Sequence, residues 1–208
     1  MFSPETFAAA WGSEALVRLS SENTTNSIPA SAREFLSRAG LPALITYVED
    51  EPLFKITFCR LEAGLTPVLM EKYHGTLPGD WNCYWVLGDE YFSNGAAWWC
   101  IDQRDGRILR IDIELAEPIM LANASVAHFT SALLVAVSWS AQQDCNGLHR
   151  PDAVNQLERQ LNELDPECMR SGGSFWRRYV ARLVGQKDGG FAKGSMSAGH
   201  DALIDGTW

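Results

Sequence analysis

The side chains of this 208-residue sequence that could do chemistry are carboxylates, thiols, imidazoles and indoles, and their spacing limits what each can do. Carboxylates gather at Glu49-Asp50-Glu51, at Asp89-Glu90, and at Asp102 with Asp105. General acid–base work needs a carboxyl held in a pocket that shifts its pKa. Adjacent acids beside Pro52 or Gly88 read instead as the decoration of turns. Asp102-x-x-Asp105-Gly106 has the outline of a calcium loop, but it lacks a ligand at every second position and the closing glutamate. The four histidines, His74, His128, His149 and His200, are scattered and form no i,i+4 pair, so no metal site is expected. Cys100 sits in an apolar run, where burial raises a thiol's pKa and blunts its nucleophilicity. Gly194–Gly199 is one residue too long for a nucleophile elbow, and no strand precedes it. No GxGxxG, GxxxxGK or HExxH pattern occurs. The expectation is a protein without catalysis and without a cofactor. Trp98 and Trp99 are neighbours on a predicted strand and so face opposite sides. The outward one is either covered by a helix or free to serve as an interface residue; helices are available for both faces, so covering is expected.

The elements that must position these groups centre on Cys83–Ile113. Cys83–Gly88, Ala96–Asp102 and Arg107–Ile113 read as strands. Asp105-Gly106 supplies the positive-φ position of a tight turn between the last two, which predicts a β-hairpin. In the third strand Ile108, Arg110 and Asp112 share one face, and Leu109, Ile111 and Ile113 the other. Upstream, Ser3-Pro4-Glu5 opens a helix that carries Phe7 and Trp11 and stops at Gly12. Ala15–Leu19 reads as a short strand and Ser20–Ser27 as a loop. A second helix covers Ala30–Ala39, with Gly40 as its stop and Pro42 barring continuation. Leu53–Arg60 and Pro67–Lys72 read as strands, Tyr73–Asn82 as a loop, and Pro118–Leu121 as a further short strand. The period then changes. Val126, Phe129, Leu133 and Val137 recur at helical spacing in a helix from Asn123-Ala124-Ser125 to about Gln143. Helices at Ala153–Leu164 and Ser174–Val184 follow. Helices, then strands, then helices predict an α+β fold with a central antiparallel-rich sheet and helical segments packed on it. The domain is placed at 1–185, and 186–208 is read as a Gly-rich C-terminal tail.

Composition narrows the partners. Hydrophobic residues make up 46 % and charged residues 21 %, so the chain can bury a core and is not a disordered one. No apolar run reaches membrane-spanning length, and the N-terminus has no basic segment before its short apolar patch, so neither membrane insertion nor export is expected. The net charge of -9 argues against direct contact with nucleic acid, whose phosphates need a basic face. It would suit a basic protein partner, although solubility alone also accounts for it. Five cysteines are an odd set with no C-x-x-C pair, which fits free thiols in a reducing cytoplasm.

Several segments resemble the fourth subfamily of the SUKH superfamily. Arg33-Glu34-Phe35-Leu36-Ser37-Arg38-Ala39-Gly40-Leu41-Pro42 is similar to its R-x-FL-x-x-x-GLP segment. Val86-Leu87-Gly88 resembles its strand ending in Leu-Gly, and Cys100-Ile101-Asp102 with Asp105-Gly106-Arg107-Ile108 resembles its hairpin. Leu121–Phe129 resembles its helix start, with Ala124 where a second small polar residue is usual, and Phe175-Trp176 with Tyr179 and Leu183 resembles its terminal helix. The matches run in order from Phe2 to Gly185, and the tail has no counterpart.

The resemblance implies a SUKH-like α+β fold and a cytoplasmic immunity protein that binds and neutralises a cognate protein toxin, in bacterial contact-dependent or polymorphic toxin systems. Toxins across the superfamily are often nucleases or nucleic-acid deaminases. A small-ligand-binding or regulatory scaffold built on the aromatic strand is the alternative. For the partner-binding surface the sequence points to acids expected on exposed turns, Glu49, Asp50, Glu51, Asp89, Glu90, Asp102 and Asp105, with Trp99 as the candidate outward indole. Oligomeric state has no signature in the sequence.

Overall fold

Helix α1 (Pro4–Trp11) starts where the side chain of Ser3 accepts the Thr6 N–H, with Pro4 supplying a ready-made first φ. It ends at Gly12, whose φ of 81° a residue with a Cβ would resist. The computed structural model describes residues 3–12, 16–19, 28–47, 54–58, 65–72, 81–92, 95–142, 151–170 and 172–185. The expected loops at Ser20–Ser27 and over most of Tyr73–Asn82, the elbow-like Gly194–Gly199 and the tail from 186 lie outside them.

Strand β1 (Leu16–Val17) pairs antiparallel with β2 (Leu41–Pro42) across helix α2 (Ala30–Arg38). Gly40 between α2 and β2 has a second role beyond its φ of 79°: a Cβ there would lie 2.3 Å from the Val17 carbonyl oxygen. The small ribbon closes only because that position is bare.

The main sheet is a six-stranded meander in chain order: β3 (Leu44–Tyr47), β4 (Phe54–Thr57), β5 (Tyr84–Phe92), β6 (Gly95–Asp102), β7 (Ile108–Ile111) and β8 (Ile119–Asn123). Each strand pairs antiparallel with the next. The α+β expectation and the hairpin at Asp105-Gly106 therefore hold: Gly106 has φ 81°, and the Asp102 N–H reaches the Arg107 carbonyl at 2.9 Å. Four elements differ from the sequence reading. Residues 65–72 form a helix, α3 (Leu65–Lys72), rather than a strand. Pro67 lies in the first turn, where its missing N–H costs nothing, and Leu65 and Leu69 share a fully buried stripe. Strands β2, which contains Pro42, and β3, which starts at Leu44, were not anticipated, because Pro42 was taken only as a stop. Strand β5 does not end at Gly88; the register shifts between Val86 and Gly88 and the strand continues to Phe92.

Alternation along the strands builds two cores. Trp85, Leu87, Trp99, Ile101, Ile108 and Ala122 pack beneath α1, α2 and the C-terminal helices α4 (Val126–Ala141), α5 (Pro151–Leu164), α6 (Pro166–Arg170) and α7 (Phe175–Gly185). Tyr84, Val86, Trp98, Cys100, Leu109 and Ile111 form a smaller core on the other face, under α3 and Trp81. Each Leu, Ile or Phe so buried contributes about 1.5–3 kcal/mol. The faces assigned to Ile108 and to Leu109 with Ile111 are those observed. Helix α4 runs through the middle of the larger core with Phe129, Ala132, Leu133 and Ala136 buried. Its first turn is capped by Ser125, whose Oγ accepts the His128 N–H and lies 2.8 Å from His128 Nδ1.

Candidate functional site

The acids chosen from the sequence do not form one exposed surface. Glu49, Asp50 and Glu51 lie outside the described residues. Because β5 continues past Gly88, Asp89 and Glu90 are strand residues on opposite faces, opposite Trp98 and Ala97. Glu90 is 3 % exposed, on the helix-covered side. Its Oε2 accepts the Arg110 Nε–H at 2.7 Å, and Arg110 Nη1 lies 3.9 Å from Asp112 Oδ2. This corrects the expectation that Glu90 is an exposed turn acid: it neutralises a cation that the sheet has taken out of water. Asp89 is half-buried, and its Oδ1 is buried with no hydrogen-bond partner.

Asp102 is also buried, which corrects its placement on the exposed surface while keeping its role as a turn-former. Its Oδ1 accepts the backbone N–H of Arg104 at 2.9 Å and the Nε–H at 2.8 Å, and its Oδ2 accepts from Nη2 at 2.5 Å. That bidentate grip, helped by the backbone N–H and by the charges of Arg104 and Arg107, holds its carboxyl below the usual range. The Arg104 guanidinium also lies 5.7 Å from the centre of the Tyr84 ring. Asp105 is exposed as expected, but Arg107 already engages it: its Oδ1 accepts the Arg107 N–H at 3.0 Å, and Oδ2 lies 3.3 Å from Arg107 Nε. Arg107 continues to Glu167 at 3.0 Å.

Trp99 is fully buried. Phe129 of α4 lies 5.1 Å from it between ring centroids, and Phe175 of α7 lies 4.7 Å away, edge to face. Helices cover it, so its candidacy as an exposed contact residue is corrected. Trp98 is 4 % exposed, in the opposite core. Packing accounts for both indoles, which removes the observation that favoured a ligand-binding scaffold.

Among the described residues, thiols and imidazoles serve packing and capping. Cys83, Cys100 and Cys168 are free thiols, whereas Cys59 and Cys145 lie outside the described residues. Burial pushes the Cys100 thiol well up and that of Cys168 up to about 12, the reverse of what a thiolate nucleophile needs. His128 is held at the cap of α4, and the other histidines lie outside the described residues. Among the described residues no three His, Cys, Asp or Glu side chains gather to hold a metal ion, and no helix is long and apolar enough to cross a membrane.

One buried polar group of residues was missed from the sequence. Asp165 Oδ2 accepts the Asn123 Nδ2–H at 3.0 Å and the Ala124 N–H at 2.8 Å, while Oδ1 accepts the N–H groups of Glu167 and Cys168 at the start of α6. The Trp176 indole donates to Asn123 Oδ1 at 2.8 Å. The end of β8, the entry to α6 and the start of α7 are thereby locked together. Asp165-Pro166 carried the signal, a capping acid followed by a first-turn proline. The Asn123 and Trp176 that meet there belong to two separate segments of the SUKH resemblance.

No curated protein and no solved structure matches the chain. The family model described as SUKH-4 immunity protein matches residues 2–182, which takes in every described element through most of α7, and the chain therefore belongs to the SUKH-4 immunity protein family.

Proposed function

We propose that this protein binds a cognate toxin domain in the cytoplasm and neutralises it by covering its working surface, without catalysis of its own. The observation that carries this reading is the family match over residues 2–182. The net charge of -9 supports a basic toxin, such as a nuclease or nucleic-acid deaminase whose cleft is shaped for phosphates. The binding module is residues 1–185, with 186–208 as an appended tail. Among the acids chosen from the sequence, Asp105 and Asp89, with Glu49, Asp50 and Glu51, remain as steering charges; Glu90, Asp102 and Trp99 are committed to the interior.

The experiment is co-expression with the toxin domain encoded by the neighbouring gene. Growth is expected to be restored, and the two chains are expected to co-purify at fixed stoichiometry. A neighbouring gene that encodes no toxin, or growth arrest unchanged by co-expression, would falsify the reading.

A further inference from the structure

Large apolar side chains stand open to water at Leu115, 45 % exposed, Ile119, 43 %, and Val184, 52 %, among the described residues. Leu115 lies in the turn that joins β7 to β8, and Ile119 opens β8 at the end of that turn. The turn's backbone is fixed. The Asp112 N–H reaches the Pro118 carbonyl at 2.8 Å, the Leu115 N–H reaches the Asp112 carbonyl at 3.2 Å, and Asp112 Oδ1 accepts the Glu114 N–H at 3.2 Å. Beneath it Arg110 joins Asp112 to the buried Glu90. Ile119 pairs with Ile111, and Leu121 with Leu109, and the partly buried Ile113 and Leu121 pack against the smaller core beside this turn. Glu114 and Glu117 are exposed on either side of Leu115, and Glu117 Oε2 lies 4.0 Å from Arg178 Nη2 of α7 in a solvent-exposed pair that a partner cation can join.

This is the anatomy of an interface centre: apolar anchors on preorganised backbone, ringed by charge. We propose that the β7–β8 turn is the toxin-docking surface, with Leu115 and Ile119 entering an apolar recess of the toxin and Glu114 and Glu117 meeting lysines or arginines on its rim. The inference rests on the immunity reading above and names its contact surface. A second copy of this chain is the poorer occupant. Two such turns meeting about a twofold axis would bring Glu114 and Glu117 against their own images, in a chain already at -9.

The test measures binding of the intact protein to the purified toxin domain from the neighbouring gene. The Leu115→Arg, Ile119→Arg double variant is expected to bind about a hundredfold more weakly, because it loses both anchors and places cations against a basic rim. Leu115→Ala, the milder variant if the double one does not fold, is expected to lose about tenfold. Glu114→Lys with Glu117→Lys is expected to slow association about tenfold and flatten its salt dependence. Val184→Arg, at the far end of α7, is expected to leave affinity within about threefold. A folded double variant or Leu115→Ala that binds as tightly as the parent overturns the proposal while leaving the immunity reading intact. So does a parent protein that dimerises through this turn. A parent that binds no toxin at all ends both readings together.

Discussion

Two turns of the same meander begin alike and finish differently. In both, a buried aspartate at a strand end accepts a backbone N–H two residues on: Asp102 from Arg104 at 2.9 Å, and Asp112 from Glu114 at 3.2 Å. In the β6–β7 turn every neighbouring charge finds a partner within the protein. Arg104 grips Asp102, and Arg107 bridges Asp105 and Glu167. The result is a satisfied surface with nothing apolar on offer. In the β7–β8 turn Arg110 lies underneath, between Glu90 and Asp112, Arg178 of α7 lies 4.0 Å from Glu117, and the tip presents the apolar Leu115 and Ile119 with the exposed Glu114 and Glu117 beside them. One device closes a hairpin as scaffold; the same device, with its charge compensation moved inside, holds out an apolar surface.

The largest effect expected from this contrast is at Glu90. Glu90→Ala leaves the Arg110 guanidinium buried beside only the more distant Asp112 carboxylate and is expected to cost about 3–5 kcal/mol in urea unfolding. Glu90→Leu combined with Arg110→Leu is expected to recover most of that loss, since removing both charges removes the desolvation problem. Failure of the double variant to recover would mean that the ion pair contributes more than charge compensation. Asp112→Ala comes next, at about 1–3 kcal/mol, because it frees the Glu114 N–H and removes a carboxylate near Arg110. Its more informative consequence is faster amide exchange across Ile113–Pro118 with the β6–β7 turn unchanged; equal loosening of both turns would break the comparison.

Asp102→Asn is expected to cost about 1 kcal/mol near neutral pH. Its pH dependence carries a sign. The folded carboxyl titrates below its unfolded value, so its contribution is fully present above about pH 4 and is lost as pH falls through the folded value. The parent should therefore weaken more steeply than Asp102→Asn on acidification below about pH 4, and parallel curves would count against the Arg104 grip. The smallest effect belongs to Asp105→Ala. Its ion pair with Arg107 is exposed and screened, and about 0.5 kcal/mol or less is expected from thermal unfolding.

The contrast between the turns also marks how far the sequence could be read. The β6–β7 turn was legible because its chemistry is local: Asp105-Gly106 supplies the positive φ, and Asp102 reaches only to Arg104. Helix α1 was legible for the same reason, through Ser3, Pro4 and Gly12. Glu90 was not, because its partner Arg110 is two strands and 20 residues away and the burial of both depends on sheet register. Adjacent acids after a glycine look like a turn until the strand is known to run on through Gly88. Helix α3 was read as a strand at Pro67–Lys72 because the segment is short, whereas the buried Leu65–Leu69 stripe, which begins before Pro67, decides the outcome from tertiary contact. The Asp165 network joins residues 41 and 42 positions apart, so its donors were visible only as separate motifs. The exposure of Leu115 and Ile119 belongs to the same class, since an isolated Leu or Ile in a sequence reads as core.

Hydrogen exchange of the protein alone and in complex with its toxin domain tests the central claim most directly. Toxin binding is expected to slow exchange across Ile113–Leu121 by about tenfold or more, while Gln103–Arg107 exchanges as in the free protein. Protection centred on Gln103–Arg107, or spread evenly over both turns, would contradict it.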